Sequence, residues 1–296
     1  MAKTSDFNKQ ILVRANANLK QLFGDHPKYK AIALKEIEAV YERNVLGITA
    51  DAKTSKGNKK GYLTGILYLA PAKLSGIEMC PGRTAGCTAS CLFTAGRGKF
   101  YSTTRARTIK TLAYHFDKPR FTLSIKESIR QLLVKAKNKN MVPVVRLNGT
   151  SDILWERNTD IMQAFPDVQF YDYTKIAQRF NFTLPANYHL TFSAAENNDV
   201  AVKEVLSKGG SVATVFRSKD FPSTYWGYQV VNGDDTDLRF LDPKGVVVAL
   251  FAKGKAKKDK SGFVKDVTVD QVGPTAILSK VLEVYQQEKS LEGAVA

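Results

Sequence analysis

Residues 125–174 read IKESIRQLLVKAKNKNMVPVVRLNGTSDILWERNTDIMQAFPDVQFYDYT. Ile125, Ile129, Leu132, Leu133 and Ala136 recur at helical spacing. The run Val142 to Leu147 that follows is short and apolar, which predicts a strand. A helix near 155–165 and a strand over Val168 to Tyr173 repeat the pair. Apolar strands alternating with helices imply βαβ units and a parallel sheet, covered on both faces. The fold class is therefore α/β.

The same alternation extends outward. Downstream come a short strand at Leu190 to Phe192, a helix over 199–207, a strand at Ser211 to Phe216 and a strand at Val246 to Phe251. A closing helix carries Ile277, Leu278, Val281, Leu282 and Tyr285. Upstream, residues 102–117 read as helix, and Gly65 to Ala70 as the first convincing strand. Lys53, Lys56, Lys59 and Lys60 lie in a polar stretch read as loop. Two helical stripes open the chain, one through Ile11, Ala15 and Leu19, one through Leu34, Ile37 and Val40, with a break at Gly24 to Pro27. About six strands are too few for a closed eight-stranded barrel, so a partial barrel or an open wound sheet is expected. The organisation is an N-terminal helical extension over 1–50 and an α/β core over 60–296. The aromatic and glycine-rich stretch 218–240 interrupts that core as a surface hairpin or lid.

The chain has 296 residues, of which 44% are hydrophobic, enough for a buried core and too many for wholesale disorder. No apolar run is long enough to span a bilayer, and the N-terminus lacks a secretory signal pattern, so a cytoplasmic protein with no membrane partner is expected. A formal net charge of +16 favours polyanionic partners, nucleic acid or nucleotide first among them.

All three cysteines, Cys80, Cys87 and Cys91, fall in one loop rich in glycine and small residues directly after the first strand. An odd, clustered set is a poor disulfide framework and a good metal-ligand set. The spacing is C-x6-C-x3-C. Thiolates suit zinc, copper(I) and iron–sulfur clusters. A structural zinc site usually takes four protein ligands. Three cysteines on one flexible loop fit a [4Fe-4S] cluster with one iron not ligated by cysteine. Zinc, and three buried inert thiols, remain as alternatives.

Polar residues close the strands: Arg146, Asn148, Ser151 and Asp152 the first, Asp172, Thr174 and Lys175 the next, Ser193, Glu196 and Asn197 the third, Arg217 the fourth. In a parallel sheet they gather at the mouth that holds the cysteine loop. Arg146 or Lys175 suits a carboxylate or phosphate; Asp152 or Glu196 suits an amino group or hydroxyls. The same carboxylates also suit helix starts. His26, His115 and His189 are scattered, and His189 sits at the wrong end of its strand. Two basic segments follow. Residues 96–110 carry Arg97, Lys99, Arg105, Arg107 and Lys110 with Phe100 and Tyr101 between them. Residues 252–265 form a lysine run. Such segments can contact phosphates and stack bases, or be solvated loops.

The stretch Tyr68 to Arg97, YLAPAKLSGIEMCPGRTAGCTASCLFTAGR, resembles the phage "gene product 88" domain family. RLNGTSDILWE at 146–156, YDYTKIAQRF at 171–180 and LPANYHLTFSAAEN at 184–197 resemble, in order and spacing, strand-end motifs of radical-SAM-like phage proteins. The resemblance runs from about residue 60 to residue 265 and implies a radical-SAM-like partial (β/α)6 barrel. It implies a [4Fe-4S] cluster on Cys80, Cys87 and Cys91, whose open iron could chelate S-adenosylmethionine, and a setting in the host cell cytoplasm. Two departures count. Radical SAM enzymes space their cysteines C-x3-C-x2-C, and their glycine-glycine-glutamate turn is replaced here by Asn148, Gly149, Thr150, Ser151 and Asp152. Cluster binding thus carries over better than S-adenosylmethionine chemistry. The expectation is an iron–sulfur protein acting on nucleic acid or nucleotides, or a non-catalytic iron–sulfur protein that binds nucleic acid.

Overall fold

The structure, a computed structural model, describes residues 5–48 and 52–266. Ten strands form one mostly parallel sheet: β1 Leu46–Ile48, β2 Tyr62–Leu67, β3 Val142–Arg146, β4 Gln169–Thr174, β5 Tyr188–Ser193, β6 Ser211–Phe216, β7 Thr224–Tyr225, β8 Tyr228–Asn232, β9 Val247–Phe251 and β10 Val264–Lys265. Their order is β1-β2-β3-β4-β5-β6-β9-β8-β7, with β10 beside β6. Strands β2 to β6 and β9 are parallel neighbours, while β1 and β7 add antiparallel edges. β5 pairs with Ser211 to Ala213 of β6, and β10 continues that side at Val215 and Phe216.

The helices are α1 Asp6–Phe23, α2 Leu34–Glu38, α3 Ala52–Lys59, α4 Ala85–Ala89, α5 Tyr101–Phe116, α6 Lys118–Asn138, α7 Trp155–Asn158, α8 Ile161–Ala164 and α9 Asp199–Ser207. The stripe that opened the sequence reading sits on α6, where Ile125, Ile129, Leu132 and Ala136 are buried together with Leu63, Leu67, Val145 and Leu147 of the sheet. Gly65 permits that approach, since a Cβ there would stand 3.0 Å from Leu132 and 3.1 Å from Leu46. α1 buries Ile11, Ala15 and Leu19 in the same cluster, so the N-terminal helices join the core.

The opposite sheet face carries Tyr62, Val144 and Tyr171, alternating with the residues that face α6. Leu238 and Phe240 pack on it. Of the two readings of the stretch 218–240, the hairpin is the one found, formed by β7 and β8. Its first half supplies β7 and β8, which extend the sheet, and its second half covers the sheet face opposite α6, with Asp237, Leu238 and Arg239 buried. Hydropathy patterning missed this because the covering segment is held by charge: Asp237 pairs with Arg146 at 2.7 Å.

Other expectations shift locally. The polar stretch read as loop forms α3. It has no apolar stripe, and it is anchored by buried Thr54 and by Gly57 against Leu238. The helix expected near 155–165 is two short ones, α7 and α8, parted at Thr159, whose hydroxyl bonds the Trp155 carbonyl while its backbone is extended. The first parallel strand begins at Tyr62, a little earlier than expected. The closing helix with Ile277 and Leu282 lies outside the described residues. No helix among the described residues is long and apolar enough to cross a membrane.

Candidate metal centre

Because β2 to β6 and β9 run parallel, the segments leaving their C-terminal ends share one edge of the sheet. The cysteine loop leaves β2 on that edge. It is less irregular than its composition suggests, because α4 and short 3-10 turns are folded into it. Ala72 adopts φ +50°, a conformation uncommon for a residue with a side chain, and its N–H points at the Cys80 sulfur at 3.4 Å. The Cys80 thiol faces the Thr150 carbonyl at 3.6 Å. The Asp152 N–H donates to the Met79 carbonyl at 2.8 Å, tying the loop to the turn after β3. Inside the loop, Arg83 pairs with Glu78 at 3.0 Å, and Glu78 accepts the Cys80 N–H at 3.0 Å.

Two carboxylates from distant segments fix α4, which carries Cys87. Glu196, after β5, accepts from the Thr84 hydroxyl and from the Gly86 N–H, both at 2.7 Å. Thr84 in turn caps the helix by accepting the Cys87 N–H at 3.1 Å. Asp259, after β9, accepts from Ser90 at 3.3 Å, from Ser261 at 2.7 Å and from the Val264 N–H at 3.0 Å. Burial alone would raise the Glu196 pKa; the Thr84 hydroxyl and the loop N–H groups outweigh it and hold the carboxyl below its ordinary range.

All three cysteines are free and half-buried. Burial pushes the Cys80 thiol up to about 12, and the neighbouring Cys91, Asp152 and Cys87 push the same way. Burial also raises Cys91, with Cys87 adding to it, while Arg107 and Lys175 act in the opposite sense. Among the described residues, no three histidine, cysteine, aspartate or glutamate side chains converge on one metal ion. In chemical kind the donors the loop offers are soft thiols, with one backbone N–H directed at the Cys80 sulfur.

The strand-end residues divide into three groups. One forms a buried network that is satisfied internally. Asn148 accepts through its side-chain oxygen from Ser151 at 2.9 Å, the Ile153 N–H at 2.9 Å and Trp155 at 3.2 Å. Asp172 accepts from the Asn148 N–H at 2.6 Å and from Tyr188 at 3.1 Å, and burial lifts its pKa to about 7. Asp152 accepts from the Lys175 N–H at 2.8 Å and from Arg179 at 3.1 Å, its pKa also raised by burial. Arg179, not singled out from sequence, pairs further with Glu156 at 2.8 Å and Tyr188 at 2.7 Å.

A second group points elsewhere. Arg146 faces the segment that covers the sheet opposite α6, paired with Asp237 and stacked 4.7 Å over the Tyr173 ring. Burial works against its charge, but Asp237 prevails and raises its pKa. Arg217 ties down the β9 exit through the Lys257 and Asp259 carbonyls. The third group stays near the cysteines. The Lys175 ammonium donates to the Ala194 carbonyl at 3.3 Å, and Gly82 packs against the Lys175 backbone. Ser193 is half-buried and Asn197 exposed; neither side chain forms a hydrogen bond among the described residues.

Of the basic residues, Arg97 and Lys99 are exposed. Arg105 is engaged with the N-terminal segment, bonding the Lys30 and Ala31 carbonyls and pairing with Glu36 at 2.8 Å. Arg107 lies 4.6 Å over the Tyr68 ring. His189 is mostly buried, and burial lowers its pKa to about 4, in keeping with a structural residue. Sequence reasoning missed Asp259 because it lies within a lysine run. It missed Arg179 although that residue lies within the quoted YDYTKIAQRF motif.

A family model described as gene product 88 matches residues 46–267. No curated protein and no solved structure matches the chain.

Proposed function

The chain belongs to the gene product 88 family, and on that premise we propose that it is an iron–sulfur protein of phage type, holding a [4Fe-4S] cluster on Cys80, Cys87 and Cys91. The observation that carries this reading is the cysteine loop itself: three free, half-buried thiols on one loop at the C-terminal edge of a parallel sheet, with that loop pinned from two sides by Glu196 and Asp259. The sequential order of β2 to β6 and β9 supports a radical-SAM-like partial barrel, since such neighbours curl one way when all crossovers share a hand. The site of action would be the host cell cytoplasm. When bound, the cluster would supply redox chemistry and one iron open to a further ligand. The chain's part is to shape the loop, direct the Ala72 N–H at one sulfur and set Lys175 and Arg107 against the cluster's charge.

A second reading is a non-catalytic iron–sulfur protein that binds nucleic acid. It is favoured by the commitment of Asn148, Ser151, Asp152, Asp172 and Glu196 to internal hydrogen bonds, which leaves few strand-end groups to hold S-adenosylmethionine. One preparation tests both. Protein purified without oxygen should be brown, absorb near 400 nm and contain iron and sulfide, and Cys87→Ala should lose all three. A colourless protein with one zinc per chain would refute the cluster. Reduction with dithionite and addition of S-adenosylmethionine then separates the readings. Formation of 5′-deoxyadenosine supports the enzyme; its absence from a protein with intact cluster supports the binder.

A further inference from the structure

Two basic segments more than 150 residues apart in the chain meet beside the cysteine loop. The first follows Cys91 and exposes Arg97 and Lys99. The second follows β9 and exposes Lys255, Lys257, Lys258 and Lys260. Gly254, at φ +56°, lies flat against Thr94 and Ala95; a Cβ there would stand 2.9 Å from the Ala95 side chain. The Ser90 to Asp259 bond stitches the same seam. Ala256 is the buried residue of its 3-10 turn, and Lys255, Lys257 and Lys258 around it are exposed, Lys257 with its ammonium 5.7 Å over the Phe251 ring. The only acid in the two stretches 92–100 and 252–263 is Asp259, and it is buried and spent on hydrogen bonds within the protein. None of the six cations forms an ion pair among the described residues. The first segment also exposes Leu92 and Phe100, at 61% and 52%.

Like charges this close repel one another at physiological salt, where screening acts over roughly 8 Å. A solvated loop would relax away from its neighbour. Here a left-handed glycine, a buried alanine and the Arg217 bonds to the Lys257 and Asp259 carbonyls hold the ridge in place. From this geometry we infer that the ridge is a docking surface for the phosphate backbone of a single-stranded nucleic acid. Phosphates answer the cations. Exposed Phe100 and Leu92 offer faces for unpaired bases, which a duplex keeps stacked inside. Asp259 and Ser90 then place the bound strand next to Cys91. This deepens the second reading above by naming its surface and strand type, but the ridge contains no cysteine and its binding does not depend on a cluster.

The test is fluorescence anisotropy of the full chain, purified without oxygen, with a fluorescein-labelled thymidylate 20-mer and a duplex of equal length. Four phosphate contacts on a single strand should weaken binding about 50-fold between 50 and 200 mM KCl. The variant Lys255→Glu/Lys257→Glu/Lys258→Glu should lose at least about tenfold in affinity and flatten the salt dependence. Lys135→Glu/Lys137→Glu, on exposed positions of α6, should bind like the parent. Phe100→Ala should weaken the single strand and leave the duplex unchanged. No binding at 50 mM KCl, equal weakening by the α6 pair, or tighter binding of the duplex would each overturn the inference. Absorbance near 400 nm, read on the same samples, keeps it distinct from the cluster. A colourless protein that binds through the ridge sinks only the cluster, and a brown protein that does not bind sinks only the ridge.

Discussion

The Glu196 carboxylate accepts the Gly86 N–H at 2.7 Å, and the glycine is what allows it. A Cβ on residue 86 would overlap the Ser261 hydroxyl and stand 2.7 Å from Glu196 itself. The β5 exit, the β9 exit and α4 therefore touch at a point with no room for a methyl group. Three segments distant in sequence set the position of Cys87 through that contact.

Gly86→Ala should force them apart. Overpacking of this kind costs about 1–3 kcal/mol, a fall of a few degrees in Tm for a chain of this size. The loss at the cysteine loop should exceed the loss of fold. Thermal unfolding by circular dichroism and iron content of anaerobically prepared protein report the two separately. A variant with parental iron content and Tm would show that the contact is not tight.

Asn148 organises the turn after β3. Its side-chain oxygen serves the Ser151 hydroxyl, the Ile153 N–H and the Trp155 indole together. Asn148→Ala removes the acceptor and leaves buried donors without a partner, each costing about 1–3 kcal/mol where water cannot replace it. A destabilisation of about 3 kcal/mol is expected from urea unfolding. A loss below about 1 kcal/mol would mean that water enters the turn.

Arg179 is fully buried against Asp152 and Glu156, linking the exits of β3 and β4. Arg179→Met should cost about 3–5 kcal/mol, because it leaves two carboxylates buried without their cation. Part of the loss should return at low pH, where protonation of Asp152, already raised by burial, removes one unpaired charge. Urea midpoints at pH 7 and pH 4.5 for parent and variant measure this.

The central α/β alternation was legible in the sequence because the strands from Val142 to Phe251 are apolar and α6 carries an unbroken stripe. The cysteine loop was legible because the three thiols are clustered. What stayed hidden is held by polar contacts, which leave no hydropathy period. α3 has no apolar stripe, the segment covering the sheet opposite α6 depends on the Arg146–Asp237 pair, and Asp259 is camouflaged by lysines. The strand-end residues follow the C-terminal ends of parallel strands, as their sequence positions imply, but their hydrogen-bond partners could not be read from the sequence. In the structure Asp172 accepts the Asn148 N–H, Asn148 the Ile153 N–H, and Asp152 the Lys175 N–H and Arg179, a partner that only folding brings close.

Lys110 and Asp172 give the protein a stability profile with two opposite slopes. Burial, with Arg107 adding to it, lowers Lys110 from 10.5 to about 8, while its ammonium donates to the Val45 carbonyl at 3.2 Å. Between those values the unfolded chain binds more protons than the folded one, so stability rises with pH. Its contribution is present above about pH 10.5 and lost as pH falls through 8. Asp172 is the reverse. Burial raises it from 3.8 to about 7 against the pull of Arg146 and the Asn148 N–H, so the folded chain binds the extra proton. That contribution is present below pH 3.8 and lost as pH rises through 7. Each slope is at most about 1.4 kcal/mol per pH unit. Lys110→Met should flatten the alkaline limb and leave the acid one as it is, since the two groups belong to different clusters. Urea unfolding at pH 5, 7.5 and 10 on parent and variant decides the point. An unchanged rise from pH 7.5 to pH 10 in Lys110→Met would assign the alkaline limb to another group.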